Sequence, residues 1–119
     1  MSKERQVTFE YTEAFENTFD SAISHLSQWS DEVSVIERLE DVVAEFEDTT
    51  SKNPLIYAQC QELVSLGVTE VRHAIKDGFR ILYEVIEDNG ITTIIVLLFL
   101  SQRQSIGHQL IDYCLMHKR

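Results

Sequence analysis

Apolar and polar positions alternate with changing period along this chain, and each change of period marks an element. Residues 7 to 11, VTFEY, set Val7, Phe9 and Tyr11 against Thr8 and Glu10, the period of two that a half-buried strand needs. From Ala14 the spacing lengthens. Phe15, Phe19, Ile23, Leu26 and Trp29 then follow at steps of four, four, three and three, one apolar stripe on a helix over 14–29. A second stripe, Ile36, Leu39, Val42, Val43 and Phe46, predicts a helix over 34–48. Ser34 and Glu37 have capping-box spacing there, and Ser30 is a rival cap. Only a few polar residues join the stripes, so the two helices form an antiparallel hairpin. Trp29, ending the first helix, is expected to pack against that hairpin or against Phe46.

The segment from Thr49 to Gly67 has no clear period and reads as a loop with some helix, in which Asn53-Pro54 suits the start of a short turn. Beyond Gly67 the pattern turns to strand. VTEVRHAI, FRILYEVIED and ITTIIVLLFL are separated by Asp77-Gly78 and Asn89-Gly90, dipeptides that supply the positive φ angles of two-residue hairpin turns. The last run, Ile91 to Leu100, is apolar on both faces: Ile91, Ile95, Leu97 and Phe99 on one, Ile94, Val96, Leu98 and Leu100 on the other. A strand of that kind belongs in the middle of a sheet covered on both sides. The tail 107–119 carries Leu110, Ile111, Cys114 and Leu115 at helical spacing and can cover one of them. The expected order is β-α-α-β-β-β-α, an α+β fold in one domain over 1–119.

Charge refines the picture. Of 20 acidic and 10 basic side chains, residues 1–50 hold 13 acids against three bases, so the net charge of −10 falls on the first half and the second half is neutral. Such a surface argues against general nucleic-acid binding, including direct sequence-specific DNA binding, while the neutral second half leaves room for a local basic pocket. Cys60 and Cys114 lie far apart and suit packed, reduced thiols in a cytoplasmic chain. The N-terminal stretch has no apolar segment of signal length. The run 91–100 is about half of the ~20 residues that a membrane helix requires. His25, His73 and His117 lack partners at ligand spacing, so neither a metal nor another cofactor is indicated.

In Gly78-Phe79-Arg80-Ile81-Leu82-Tyr83 the chain resembles the glycine, aromatic, arginine, aliphatic pair and tyrosine of the RelE/ParE superfamily of type II toxin–antitoxin and plasmid stabilisation proteins. Leu98 to Arg103 resembles the strand end where that superfamily places a second arginine, and the two preceding helices match in order and length. The resemblance implies the fold given above and a cognate antitoxin as partner. It also implies one of two activities. RelE-like members are ribosome-dependent messenger-RNA endonucleases, in which arginines matching Arg80 and Arg103 stabilise charge on phosphorus and a further group, here His108, moves a proton. ParE-like members bind and inhibit DNA gyrase without nuclease residues. The chain departs from the nuclease pattern: Arg72 and Lys76 are the only bases on the first strand of the meander, and Gln109 fills the tyrosine slot beside His108. The acidic hairpin also opposes docking on ribosomal RNA. ParE-like is therefore the better fit, with Arg72, Arg80 and Arg103 as binding residues. A homologue that binds its antitoxin with little toxicity of its own is a third reading. The bland roles are kept beside these: Arg80 paired with Glu84 or Glu87, Arg72 structural, Tyr83 in the core, and Arg103 merely solubilising.

Overall fold

The computed structural model describes residues 6–102. They form β1 (Gln6–Tyr11), α1 (Glu13–Leu26), α2 (Glu32–Lys52), a short α3 (Gln61–Val64), β2 (Arg72–Lys76), β3 (Phe79–Asp88) and β4 (Ile91–Ser101). The four strands make one sheet in the order β1-β4-β3-β2, with β1 parallel to β4 and the other neighbours antiparallel. The order of elements expected over these residues is the one found, and β4 takes the middle of the sheet as its apolar run required. The tail expected to form a last helix lies outside the described residues.

The two meander turns follow from their dipeptides. Asp77 and Gly78 adopt φ of 55° and 84°, and Asn89 and Gly90 adopt 54° and 80°, the left-handed pairs that hairpins with right-twisted strands need. On the hairpin side of the sheet, Phe79, Ile81 and Tyr83 of β3 join Ile94, Val96 and Phe99 of β4 and Phe15, Val35, Leu39, Val42 and Phe46 of the helices in one core. Aromatic rings knit it. Phe99 meets Phe15, Phe19 and Phe79 at centroid distances of 6.1, 5.1 and 5.1 Å, and Phe46 meets Tyr83 at 5.1 Å. On the opposite side Cys60, Leu63, Val71, Leu82, Leu97, Leu98 and Leu100 form a second, smaller core under α3.

Strict alternation along 91–100 does not hold. Pairing with β3 steps from Leu82↔Leu98 to Tyr83↔Val96, so Leu97 is an extra residue, a β-bulge. Ile94, Val96 and Phe99 therefore share the hairpin face, while Leu97, Leu98 and Leu100 share the other. Helix α1 absorbs the backbone groups that the bulge displaces. The Thr12 hydroxyl donates to the Leu97 carbonyl at 3.0 Å, and the Phe99 N–H donates to the Thr18 hydroxyl at 2.9 Å. Thr12 also caps α1, accepting from the Phe15 N–H at 3.0 Å, so one side chain starts the helix and seats it on the bulge.

The helices differ from expectation at their ends. Neither Ser34 nor Ser30 caps α2; Asp31 does, accepting from the Ser34 N–H at 3.0 Å and its hydroxyl at 3.3 Å. The buried stripe then runs through Val35 instead of Ile36, and α2 continues to Lys52, carrying a fully buried Thr50 whose hydroxyl is satisfied by donating to the Phe46 carbonyl at 2.7 Å. Helix α1 stops at Leu26. The N–H groups of Trp29 and Ser30 both turn back to the Leu26 carbonyl at 3.1 Å, so Trp29 sits on a tight turn instead of the helical stripe. It packs against neither the hairpin core nor Phe46; it stands 69% exposed, with the His25 ring edge-on at 5.0 Å. Among the described residues no helix is long and apolar enough to cross a membrane.

Candidate functional site

The two candidate arginines of the meander do not converge. Residues opposite one another in an antiparallel ladder share a face. Arg72 lies opposite Tyr83, on the hairpin side, and its guanidinium donates to the Tyr57 carbonyl at 2.7 Å. Arg80 lies opposite Ile75 and Leu100, on the other side. Alternation on β3 imposes this split, because Phe79 and Ile81 enter the hairpin core and the residue between them must leave it.

Arg80 forms the centre of a small polar cluster beside the second core. Its guanidinium, with the side chain only 7% exposed, pairs at 3.3 Å with the Glu62 carboxylate of α3, itself 51% exposed. Glu62, unlike the sequence neighbours Glu84 and Glu87, comes from a segment whose helix the sequence pattern did not define. The Cys60 thiol faces the same carboxylate at 3.5 Å. Burial pushes that thiol up from its ordinary range, with Glu62 adding to the effect, so Cys60 is a neutral packed thiol. Burial, the largest single influence, would raise the Glu62 carboxyl, but the Arg80 charge together with hydrogen bonds from its own backbone, Cys60 and Arg80 holds the group below its usual value. His73 is on this face as well, opposite Leu82. Burial and the Arg80 charge hold its imidazole below the usual histidine range. The cluster thus includes a buried cation paired with the Glu62 carboxylate, flanked by a neutral thiol and a neutral imidazole. It ties α3 to the sheet.

Lys76 is committed too. It pairs with Glu45 of α2 at 3.0 Å, and Arg38 of α2 pairs with Asp77 at 2.9 Å while lying over the Phe79 ring at 5.2 Å. These two ion pairs line a cleft of about 440 Å³ between α2 and the β2–β3 turn, together with Asp41 and Val42. Tyr83 is in the core. It is fully buried, and its hydroxyl donates to the Pro54 carbonyl at 2.9 Å. Arg103 and His108 lie outside the described residues; β4, which leads toward Arg103, is a strand through Ser101.

What the sequence pattern did not single out is the tip of the helical hairpin. Trp29 and Val33, at 69% and 62% exposed, stand at the turn between α1 and α2. The signal for it was present in the short polar link Ser27 to Asp31, which ends α1 before the apolar stripe does.

With this geometry in place, comparison with known proteins is informative. The model of a family described as the ParE toxin of the type II toxin–antitoxin system parDE matches residues 9–106. Among solved structures, the chromosomal ParDE toxin–antitoxin system from P. aeruginosa contains a similar chain. It is 13% identical, the likeness covers 83% of this chain and 98% of that one, and the TM-score is 0.62. At that identity the likeness concerns the fold. No curated protein matches.

Proposed function

The chain belongs to the ParE toxin family of type II toxin–antitoxin systems, and from that premise we propose that it acts by binding a protein target, DNA gyrase, and is neutralised by a cognate antitoxin. The observation that carries this reading over RNA cleavage is the division of the meander arginines. A ribonuclease of this superfamily needs several cations around one phosphate. Here Arg72 and Arg80 leave opposite faces of the sheet, and Lys76 is paired with Glu45. Each base serves the fold: Arg72 holds the segment carrying Tyr57, Arg80 holds α3, and Lys76 holds α2. A scaffold built this way is suited to presenting surface. Its antitoxin contacts are largely apolar, since an acidic toxin gains nothing from an acidic partner; Leu55, Ile56, Leu66 and Ile75 are exposed and supply such surface.

Induced expression of the full chain should arrest growth, and co-expression of the antitoxin should relieve it. Purified protein should block supercoiling by gyrase or trap its cleaved-DNA complex. Cleavage of messenger RNA at ribosomes, lost on Arg80→Ala in a folded protein while gyrase is unaffected, would overturn the binding mechanism and restore the nuclease reading.

A further inference from the structure

The tip of the helical hairpin has features that its own fold does not use. Trp29 is the chain's single tryptophan and, among the described residues, the most exposed large apolar side chain; Val33, also exposed, follows four positions later on the first turn of α2. Neither belongs to the two cores. The turn is nevertheless well fixed. Gln28, Trp29 and Ser30 all donate backbone N–H groups back into the last turn of α1, at 3.3, 3.1 and 3.1 Å, and Asp31 immediately caps α2. His25 braces one edge of the indole. A tryptophan held on a hydrogen-bonded turn loses little conformational freedom when it is covered, and that combination is characteristic of residues that dominate protein interfaces.

The surroundings define what covers it. Asp31 and Glu32 flank the turn, and Glu37 and Glu40 follow Val33 along the exposed side of α2. Among the described residues up to Thr50 the only base is Arg38, and Asp77 neutralises it. We propose that Trp29 and Val33 are the anchor by which this toxin docks on its target, and that the target presents an apolar pocket rimmed by lysines and arginines. Such a rim is the surface of a protein that holds nucleic acid, so the acidic hairpin occupies a position that DNA phosphates otherwise take. The inference rests on the proposed function, because it deepens the account of target binding.

The test compares the full-length wild-type chain with Trp29→Ala, Val33→Ala and the double variant Glu37→Lys/Glu40→Lys. Circular-dichroism melts and antitoxin affinity report the fold; both should be unchanged, since these side chains are exposed. Trp29→Ala should weaken gyrase inhibition about thirtyfold, the loss typical of a central aromatic anchor, and Val33→Ala should weaken it less. Wild-type inhibition should fall as salt rises, and the lysine variant should be weak even at low salt. If the wild type inhibits gyrase and Trp29→Ala inhibits it equally, the tip is not the anchor, and the gyrase reading stands without it. If the wild type spares gyrase yet arrests growth, the target is wrong; relief of arrest by Trp29→Ala then upholds the tip, and undiminished arrest overturns it. A wild-type chain that does neither overturns both.

Discussion

Tyr83→Phe removes a single oxygen atom and asks whether this tyrosine packs or reacts. The ring keeps its surroundings, edge-on to Phe46 at 5.1 Å and to Tyr57 at 6.3 Å. Only the hydroxyl that donates to the Pro54 carbonyl at 2.9 Å is lost, between two fully buried residues. A net hydrogen bond is worth about 1 kcal/mol, and a carbonyl left dry and unpaired adds about another 1 kcal/mol, so the variant should lose about 2 kcal/mol. With a urea slope of about 1.5 kcal/mol per molar for a chain of this size, the unfolding midpoint should fall by about 1.3 M at constant slope. Far-ultraviolet circular dichroism is the right probe, because Trp29 is already solvent-exposed in the native state. A shift under about 0.3 M would show that water reaches Pro54 and that the loop after α2 is not anchored there. Alkaline titration adds a second check. Burial pushes the Tyr83 hydroxyl up to about 12, although the Arg72 charge opposes this. The native chain therefore keeps a proton that the unfolded chain releases near pH 10, stability drops as pH rises from about 10 toward 12, and Tyr83→Phe should soften that drop. Below its melting point the variant should match the wild type in any growth arrest that the proposed function entails; a folded Tyr83→Phe that lost a wild-type activity would refute the packing role outright.

Three further outcomes follow from the same contacts. Phe99→Ala empties the point where Phe15, Phe19 and Phe79 meet and should cost about 3–5 kcal/mol, read as a collapse of soluble yield or of the melting temperature. Asp31→Ala leaves the first turn of α2 uncapped and should cost about 1 kcal/mol in thermal melts, with Asp31→Ser restoring most of it. Acidification should act in two stages. His73, held below its ordinary 6.5 by burial and the Arg80 charge, contributes stability that is complete above that value and lost as pH falls below it. For Glu62, burial would raise the carboxyl, but the Arg80 charge and the hydrogen bonds around it together hold it below its ordinary 4.5, so its contribution is complete above that value and lost only as pH falls beneath it. Melts across pH 8 to 2 should therefore lose their first stage in His73→Gln and their second in Glu62→Gln.

Much of this architecture is legible in the sequence because local chemistry and global fold agree. Asp77-Gly78 and Asn89-Gly90 permit little besides left-handed turns, and they register three strands without reference to the remainder of the chain. The length and greasiness of 91–100 place it centrally in the sheet. The faces of that strand were not legible. A bulge at Leu97 is stabilised by hydroxyls of Thr12 and Thr18, more than 80 positions away, and no local pattern records such a partner. The same limit hid the ion pair of Arg80, since a four-residue helix bearing Glu62 has too few residues to show a period. The helix ends failed for another reason. Asp31 competes with two serines for one capping position, and Trp29 continues an apolar spacing that the backbone has already abandoned. Of the site residues, Arg72 and Arg80 are found apart, and Arg103 and His108 lie outside the described residues.

The parallel pairing of β1 with β4 aligns Gln6 with Ile91 and Tyr11 with Val96. Among the described residues β1 therefore finds its strand neighbour 85 positions along the chain (6 to 91), and Phe15 and Phe19 of α1 meet Phe99 across a similar span. Val7, Phe9 and Phe15 share their core with Phe46 of α2 as well as with Ile94, Val96 and Phe99 of β4, so the helical hairpin covers them in part and the distant strand completes the cover. Contacts so far apart in sequence slow folding, so the docking of β4 between β1 and β3 should set the pace at which this sheet closes.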